Sequence, residues 1–107
     1  MATYKVLAQK NPLATTLTDA YTCANASGTV VSSVLVANRS ATPTTFRLSV
    51  AVAGATNSNE QYIAYDVPIG ANDVVDFTCG LTLANTDVLR VYAGAATLSF
   101  NVFGEEV

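Results

Sequence analysis

Apolar side chains at every second position, in short runs broken by Gly, Pro, Asn and Asp, constrain this chain more than any other feature. The clearest run sets Phe46, Leu48, Val50 and Val52 against Arg47, Ser49 and Ala51. Because successive side chains of a strand point to opposite faces, the first set is expected inward and the second outward. Val52 is then the last core residue of that strand.

The same period can be followed from end to end. Tyr4 to Gln9 forms a first strand, broken at Lys10-Asn11-Pro12, and Thr16 to Cys23 a second with Leu17, Asp19, Tyr21 and Cys23 on one face. An aspartate on an apolar face is anomalous. TVVSSVLVAN is apolar on both faces and is expected mid-sheet, covered on two sides. QYIAYDVPIG assigns Ile63, Tyr65, Val67 and Ile69 to one face and Tyr62, Ala64 and Asp66 to the other, with Pro68 and Gly70 ending it. ANDVVDFTCGLTL aligns Val75, Phe77, Cys79, Leu81 and Leu83, with Gly80 a bulge or bend.

DVLRVYAG sets Leu89 and Val91 against Arg90 and Tyr92, and TLSFNVF turns Leu98, Phe100 and Val102 inward. The short turn around Gly94 makes these two runs expected hairpin partners. Only Gly104 to Val107 reads as a tail, with Gly104 a hinge and Glu105 and Glu106 reaching towards a neighbouring subunit. Gly104, Glu105, Glu106 and Val107 are therefore candidate interface residues.

Roughly eight strands at a spacing of about ten to twelve residues, with no helical period, specify an all-β fold. It is expected to be a single antiparallel β-sandwich, jelly-roll or immunoglobulin-like. With 107 residues and no linker or repeat, residues 1–107 make one domain. A chain of this length buries roughly two thirds of its unfolded surface without needing staples.

The chemistry open to the chain is narrow. It has no histidine, which removes the commonest general base, the commonest zinc ligand and every Ser-His or Cys-His nucleophile pair. GxGxxG, Walker and GxSxG patterns are missing too. Asp66, Asp73 and Asp76 lie close together but lack the alternating acids of an EF-hand, and read as turn and solvated strand positions. No catalytic residue, metal ligand set or cofactor is expected, so the protein reads as non-enzymatic.

Cys23 and Cys79 form no CxxC pair and read as buried, reduced side chains. Lys5, Lys10, Arg39, Arg47 and Arg90 are scattered singly and the net charge is −3, so no nucleic-acid footprint is expected. No apolar stretch approaches the ~20 residues of a membrane span, and the N-terminus lacks a signal-peptide centre. A soluble cytosolic product, without membrane contact, is expected.

Charged residues make up 12% of the sequence, against a usual share of about 25%. Few of them guard the strand edges. Short side chains at Ala51, Ala64, Thr78 and Ser99 are expected to leave flat outer faces, the charge-poor kind of surface found at the centre of obligate interfaces. That points to a homo-oligomer. A second class, a receptor- or glycan-binding adhesion module, would instead expose Tyr62 or Tyr92 beside Asn57, Asn59 and Gln61.

MATYKVLAQKNPLATTLTDAYT, NRSATPTTFRLSVAVAG, QYIAYDVPIGANDVV and LANTDVLRVYAGAATLSFNVFGEEV together resemble small virion structural proteins of tailed bacteriophages, notably those infecting cyanobacteria. The resemblance covers nearly the whole chain and implies a non-enzymatic part of the particle, as capsid decoration or cement or in the tail and fibre apparatus. It implies contacts with other copies of itself, in threefold or other symmetric sets, and with other virion proteins. Where that family commonly has an apolar residue and proline after Tyr-Thr, this chain has Cys23-Ala24-Asn25, which leaves a local cross-link open.

Overall fold

Turn residues cut the chain where the sequence places them, and each segment between turns is a strand. The computed structural model describes residues 2–107, the side chain of Cys79 excepted. The strands are β1 (Thr3–Lys10), β2 (Thr18–Thr22), β3 (Thr29–Asn38), β4 (Thr44–Ala51), β5 (Tyr62–Ile69), β6 (Val74–Leu83), β7 (Val88–Ala93) and β8 (Leu98–Glu106). Two single 3-10 turns, Val52–Gly54 and Asn59–Gln61, lie between β4 and β5.

Four strands form a first sheet in the order β1-β8-β3-β6, and the other four a second sheet in the order β2-β7-β4-β5. Every strand pairing is antiparallel. The pairs β1·β8, β2·β7, β3·β6 and β4·β5 are those of one long hairpin with its tip between β4 and β5. Rolling that hairpin up adds β8·β3 and β7·β4, which closes two sheets. This is jelly-roll connectivity, with its two Greek keys, and it decides against immunoglobulin-like connections.

The rolled topology corrects one expected pairing. β7 and β8 are not hairpin partners, for they lie in different sheets. Residues 94–97 carry the chain across the sandwich instead. Gly94 N–H donates to the Thr45 carbonyl of the second sheet, and the Thr97 carbonyl accepts from Arg39 just past β3 of the first.

The alternating rows meet in the middle. Val31, Val34, Val36, Leu98, Phe100 and Val102 face inward from the first sheet, and Phe46, Leu48, Ile69, Leu89, Val91 and Ala93 from the second, all at most 1% exposed. Phe46 and Phe100 touch edge to face across the gap, with ring centroids 6.1 Å apart at 75°. Aromatic pairs favour this geometry because a positive ring edge meets a negative face.

Extra residues in the ladders account for most departures from strict alternation. In β2, Asp19 pairs with Arg90 and Tyr21 with Leu89, so Ala20 is extra and the phase flips. The anomalous aspartate is thereby turned outward, where its carboxylate accepts from Arg90 Nε at 2.9 Å. In β5 the register slips twice between Tyr62 and Val67, with Asp66 in the left-handed region at φ 51°. Ala64 turns into the core, while Ile63 and Tyr65, expected inward, are 38% and 57% exposed.

Other outer positions also differ from expectation. β4 ends at Ala51, so Val52 sits on the first 3-10 turn and is 70% exposed. Arg90, the register partner of Ser49, crosses the outer face to the carbonyls of Gly54 and Ala55. That loop and Arg90 roof Ser49 and Ala51, which are fully buried although they point away from the core, and the Ser49 hydroxyl has no hydrogen-bond partner. Ala51 and Ala64 therefore do not contribute to a flat outer surface. β3 does lie inside its sheet, but its outer-facing Val30, Leu35 and Ala37 are only half-buried rather than covered.

All four edge strands carry a bulge. Leu7 is extra in β1, Ala20 in β2, one residue of the Cys79-Gly80 pair in β6, and β5 slips twice. Gly80 takes φ 58°, a left-handed geometry that glycine adopts without strain. Bulges twist an edge away from a would-be partner strand, so these edges are guarded although lysines stand only on β1, at Lys5 and Lys10.

Candidate functional site

The candidate interface residues at the C-terminus are not a tail. Gly104, Glu105 and Glu106 belong to β8, with Gly104 opposite Lys5 and Val31, and Glu106 opposite Thr3 and Thr29. Val107 N–H donates to the Gly28 carbonyl, and Asn25 Nδ2 donates to the Val107 carbonyl at 2.6 Å. The end of the chain is sewn into its own sheet.

Glu106 also bridges the two sheets. Its carboxylate accepts from Lys5 Nζ at 2.9 Å and from the Tyr21 hydroxyl at 2.7 Å. Tyr21 continues to Thr29 Oγ1 at 2.9 Å, and Thr29 to the thiol of Cys23 at 3.2 Å. Cys23 is buried and free, with its sulfur 3.8 Å from the Leu83 carbonyl. Position 79 is four residues back along β6, about 13 Å at strand rise, beyond the reach of a disulfide. The Cys79 side chain itself, which the sequence places in the inward row, lies outside the described residues.

This network sets a pH window. Burial, reinforced by Glu106, pushes the Tyr21 phenol up from 10.0 to about 12, while Lys5 and then Tyr21 hold Glu106 below its ordinary 4.5. A raised phenol contributes stability that is complete below pH 10.0 and lost as pH rises through about 12. A depressed carboxylate contributes stability present above 4.5 and lost as pH falls through its lower folded value. Calorimetric Tm against pH should show a plateau between these limits, and Tyr21→Phe should flatten the alkaline limb. An alkaline limb unchanged by that substitution would remove Tyr21 as its origin.

On the outer face of the first sheet, rows of side chains cross the strands. Tyr4, Glu105, Val30 and Thr82 form one, Val6, Phe103, Ser33 and Thr78 the next, and Gln9, Asn101, Leu35 and Asp76 a third. Tyr4 is 80%, Val6 48% and Val74 56% exposed. Glu105 and Asp76 are the only charges in these rows. The neighbours of β8 both bulge beside Phe103, at Leu7 on one side and Ser32 on the other. A groove of about 450 Å³ opens there between Tyr4, Val6, Val30 and Phe103, with Lys5 and Glu105 also lining it.

The outer face of the second sheet is of a different kind. Tyr62 and Tyr92, the candidate ligand contacts, do come together there, around Arg47. Its guanidinium carbon lies 4.1 Å from the centre of the Tyr65 ring and 4.3 Å from that of Tyr92. Asp66 accepts from Arg47 Nε at 2.7 Å, and Tyr62 meets Tyr65 edge to face at 5.0 Å. Strict alternation places Tyr65 in the apolar row, which ranks it behind Tyr62 and Tyr92 as a stacking residue, yet it is the most exposed of the three. The three-residue step from Tyr62 to Tyr65 can share a face only across a slipped register, and Arg47 shares that face as the register partner of Tyr92.

Asp87 accepts from the backbone N–H groups of Ala53 and Ala84, and Asp73 from that of Val74. Among the described residues no group of three His, Cys, Asp or Glu is placed to hold a metal ion, and no helix is long and apolar enough to cross a membrane. Comparison with protein-family models, curated proteins and solved structures yields no match to this chain.

Proposed function

We propose that this chain is a non-enzymatic structural subunit of a phage particle, a capsid decoration or cement protein or a tail or fibre component. It assembles through the outer face of the first sheet, in symmetric sets such as trimers and against other virion proteins. The observation that carries the reading is the apolar character of that face. An antiparallel sheet open to water is polar on its wet side, yet here Tyr4, Val6, Val30 and Phe103 line a groove whose charged residues are Lys5 and Glu105, and Leu35 lies further along the same face. Exposed patches of this kind mark protein contacts, and a concave centre that can take an apolar anchor is where binding energy concentrates.

Jelly-roll domains recur in viral capsids, an analogy of fold that adds to the sequence resemblance and carries no function by itself. The bulged edges favour the same geometry, because they disfavour strand-to-strand addition and leave face packing.

Light scattering after size exclusion, over a dilution series, tests the proposal. The expected result is a discrete oligomer that persists on dilution and dissociates in Val6→Glu, a substitution at a side chain already half exposed. A stable monomer at every concentration would count against self-assembly, and an oligomer indifferent to Val6→Glu would count against this face.

A further inference from the structure

The cluster on the second sheet lies on the opposite side of the sandwich from the proposed contact face, and assembly through the first sheet leaves it open. We infer that Tyr65, with Tyr62, Arg47 and Asp66, forms a platform for a neutral hexopyranose unit of a glycan. Tyr65 is 57% exposed and sits on an edge strand. Its ring is stacked on Arg47 at 4.1 Å and meets Tyr62 edge to face at 5.0 Å, and more than half of the residue is left exposed. A large aromatic held rigidly at the surface by cation–π and edge-to-face contacts presents a flat, apolar, electron-rich surface. The C–H face of a pyranose is the complementary shape, with weakly positive hydrogens directed at the ring.

Polar groups stand beside the ring in fixed positions. The Asp66 carboxylate, held by Nε and Nη2 of Arg47, keeps lone pairs for sugar hydroxyls. The Tyr62 hydroxyl accepts from Asn57 Nδ2 at 3.1 Å, which leaves its own proton to donate. Acceptor, donor and stacking surface together provide what a sugar ring presents in reverse.

The electrostatics select among ligand classes. Both arginines of this face are matched by aspartates, Arg47 by Asp66 and Arg90 by Asp19, so no free positive charge remains for a phosphate, sulfate or sialic acid. A cationic ligand is disfavoured because the Arg47 guanidinium lies against the Tyr65 and Tyr92 rings and would repel it. A neutral, hydroxyl-rich ring is the class left.

The test is titration of the full chain with methyl β-glucopyranoside and methyl β-galactopyranoside, followed by tyrosine-ring and Arg47 Nε resonances, beside an array of neutral and sialylated glycans. Shifts at Tyr62, Tyr65 and Arg47, with capture of neutral glycans, are expected. Tyr65→Ala should weaken binding about tenfold or more, with Tm and the oligomer unchanged, and Tyr65→Phe should retain it. Absence of both glycoside shifts and neutral-glycan capture would overturn the inference. So would a preference for sialylated glycans, or binding that survives Tyr65→Ala. None of these outcomes depends on oligomeric state, so this inference and the assembly reading fail separately.

Discussion

Phe100→Ala is expected to cost about 3 to 5 kcal/mol, the range for truncating a fully buried aromatic. A domain of this size has a total stability of about 5 to 15 kcal/mol, so the variant should be close to unfolding at body temperature. Three features place Phe100 at the upper part of the range. It is 1% exposed, it projects from β8 at the centre of the first sheet, and it meets Phe46 of the second sheet edge to face at 6.1 Å. The cavity would open between the two layers, where β8 is held by both β1 and β3 and cannot collapse inward without moving three strands. Urea unfolding of Phe46→Ala, Phe100→Ala and the double variant would separate the pair term, expected at about 0.5 to 1.5 kcal/mol beyond simple burial. A loss for Phe100→Ala below about 1 kcal/mol, outside the large-to-small range, would mean that the sheets are not closed over this residue.

The strands where sequence and structure agree are those with unbroken alternation. Leu98, Phe100 and Val102 face the core as the period requires, as do Leu89 and Val91, and Arg90 and Tyr92 face out. Legibility ends where one residue is inserted into a ladder, because a single insertion exchanges the faces of everything beyond it. Asp19 and Tyr65 were assigned to the wrong face for this one reason. Gly80 was legible as a bulge because glycine marks the left-handed geometry, whereas Ala20 and Ile63 have no such marker.

Pairing across the sandwich was less legible still. Residues 94–97 have the length of a hairpin turn, and nothing local separates a turn that returns within a sheet from one that crosses to the other. The partners of β8 are β1 and β3, which are distant in sequence, and their choice follows from rolling the whole chain. Tyr62 and Tyr92 could be picked out as aromatics opposite the main apolar rows, but their meeting around Arg47 depends on the β4·β5 and β4·β7 registers together. A site built by three strands in register is a property of topology and cannot be read from any one segment.

Gly104→Ala is expected to destabilise by about 3 kcal/mol or more, although it adds one methyl group to a half-buried position. A hinge would tolerate the change. In this strand a Cβ at residue 104 would fall inside the van der Waals envelope of the Val30 carbonyl oxygen, and would lie 3.0 Å from both the Val30 carbonyl carbon and the Val31 Cα. All three atoms are backbone, so no side chain can rotate away. Relief requires β3 to move, and β3 is fixed between β8 and β6, with Val31 and Val34 fully buried on its inner face. The close approach comes from the Ser32 bulge, whose hydroxyl donates to the Phe103 carbonyl at 3.1 Å, so glycine and bulge form a matched pair. Gly104 also lines the groove on the outer face, so the core constraint and the proposed contact surface share this residue. Chemical denaturation should show a lowered midpoint with an unchanged slope, since the loss lies in the folded state. A midpoint equal to that of the parent would show that β3 is free to yield at Val30, and the groove above it would then be a plastic feature of the face instead of a rigid one.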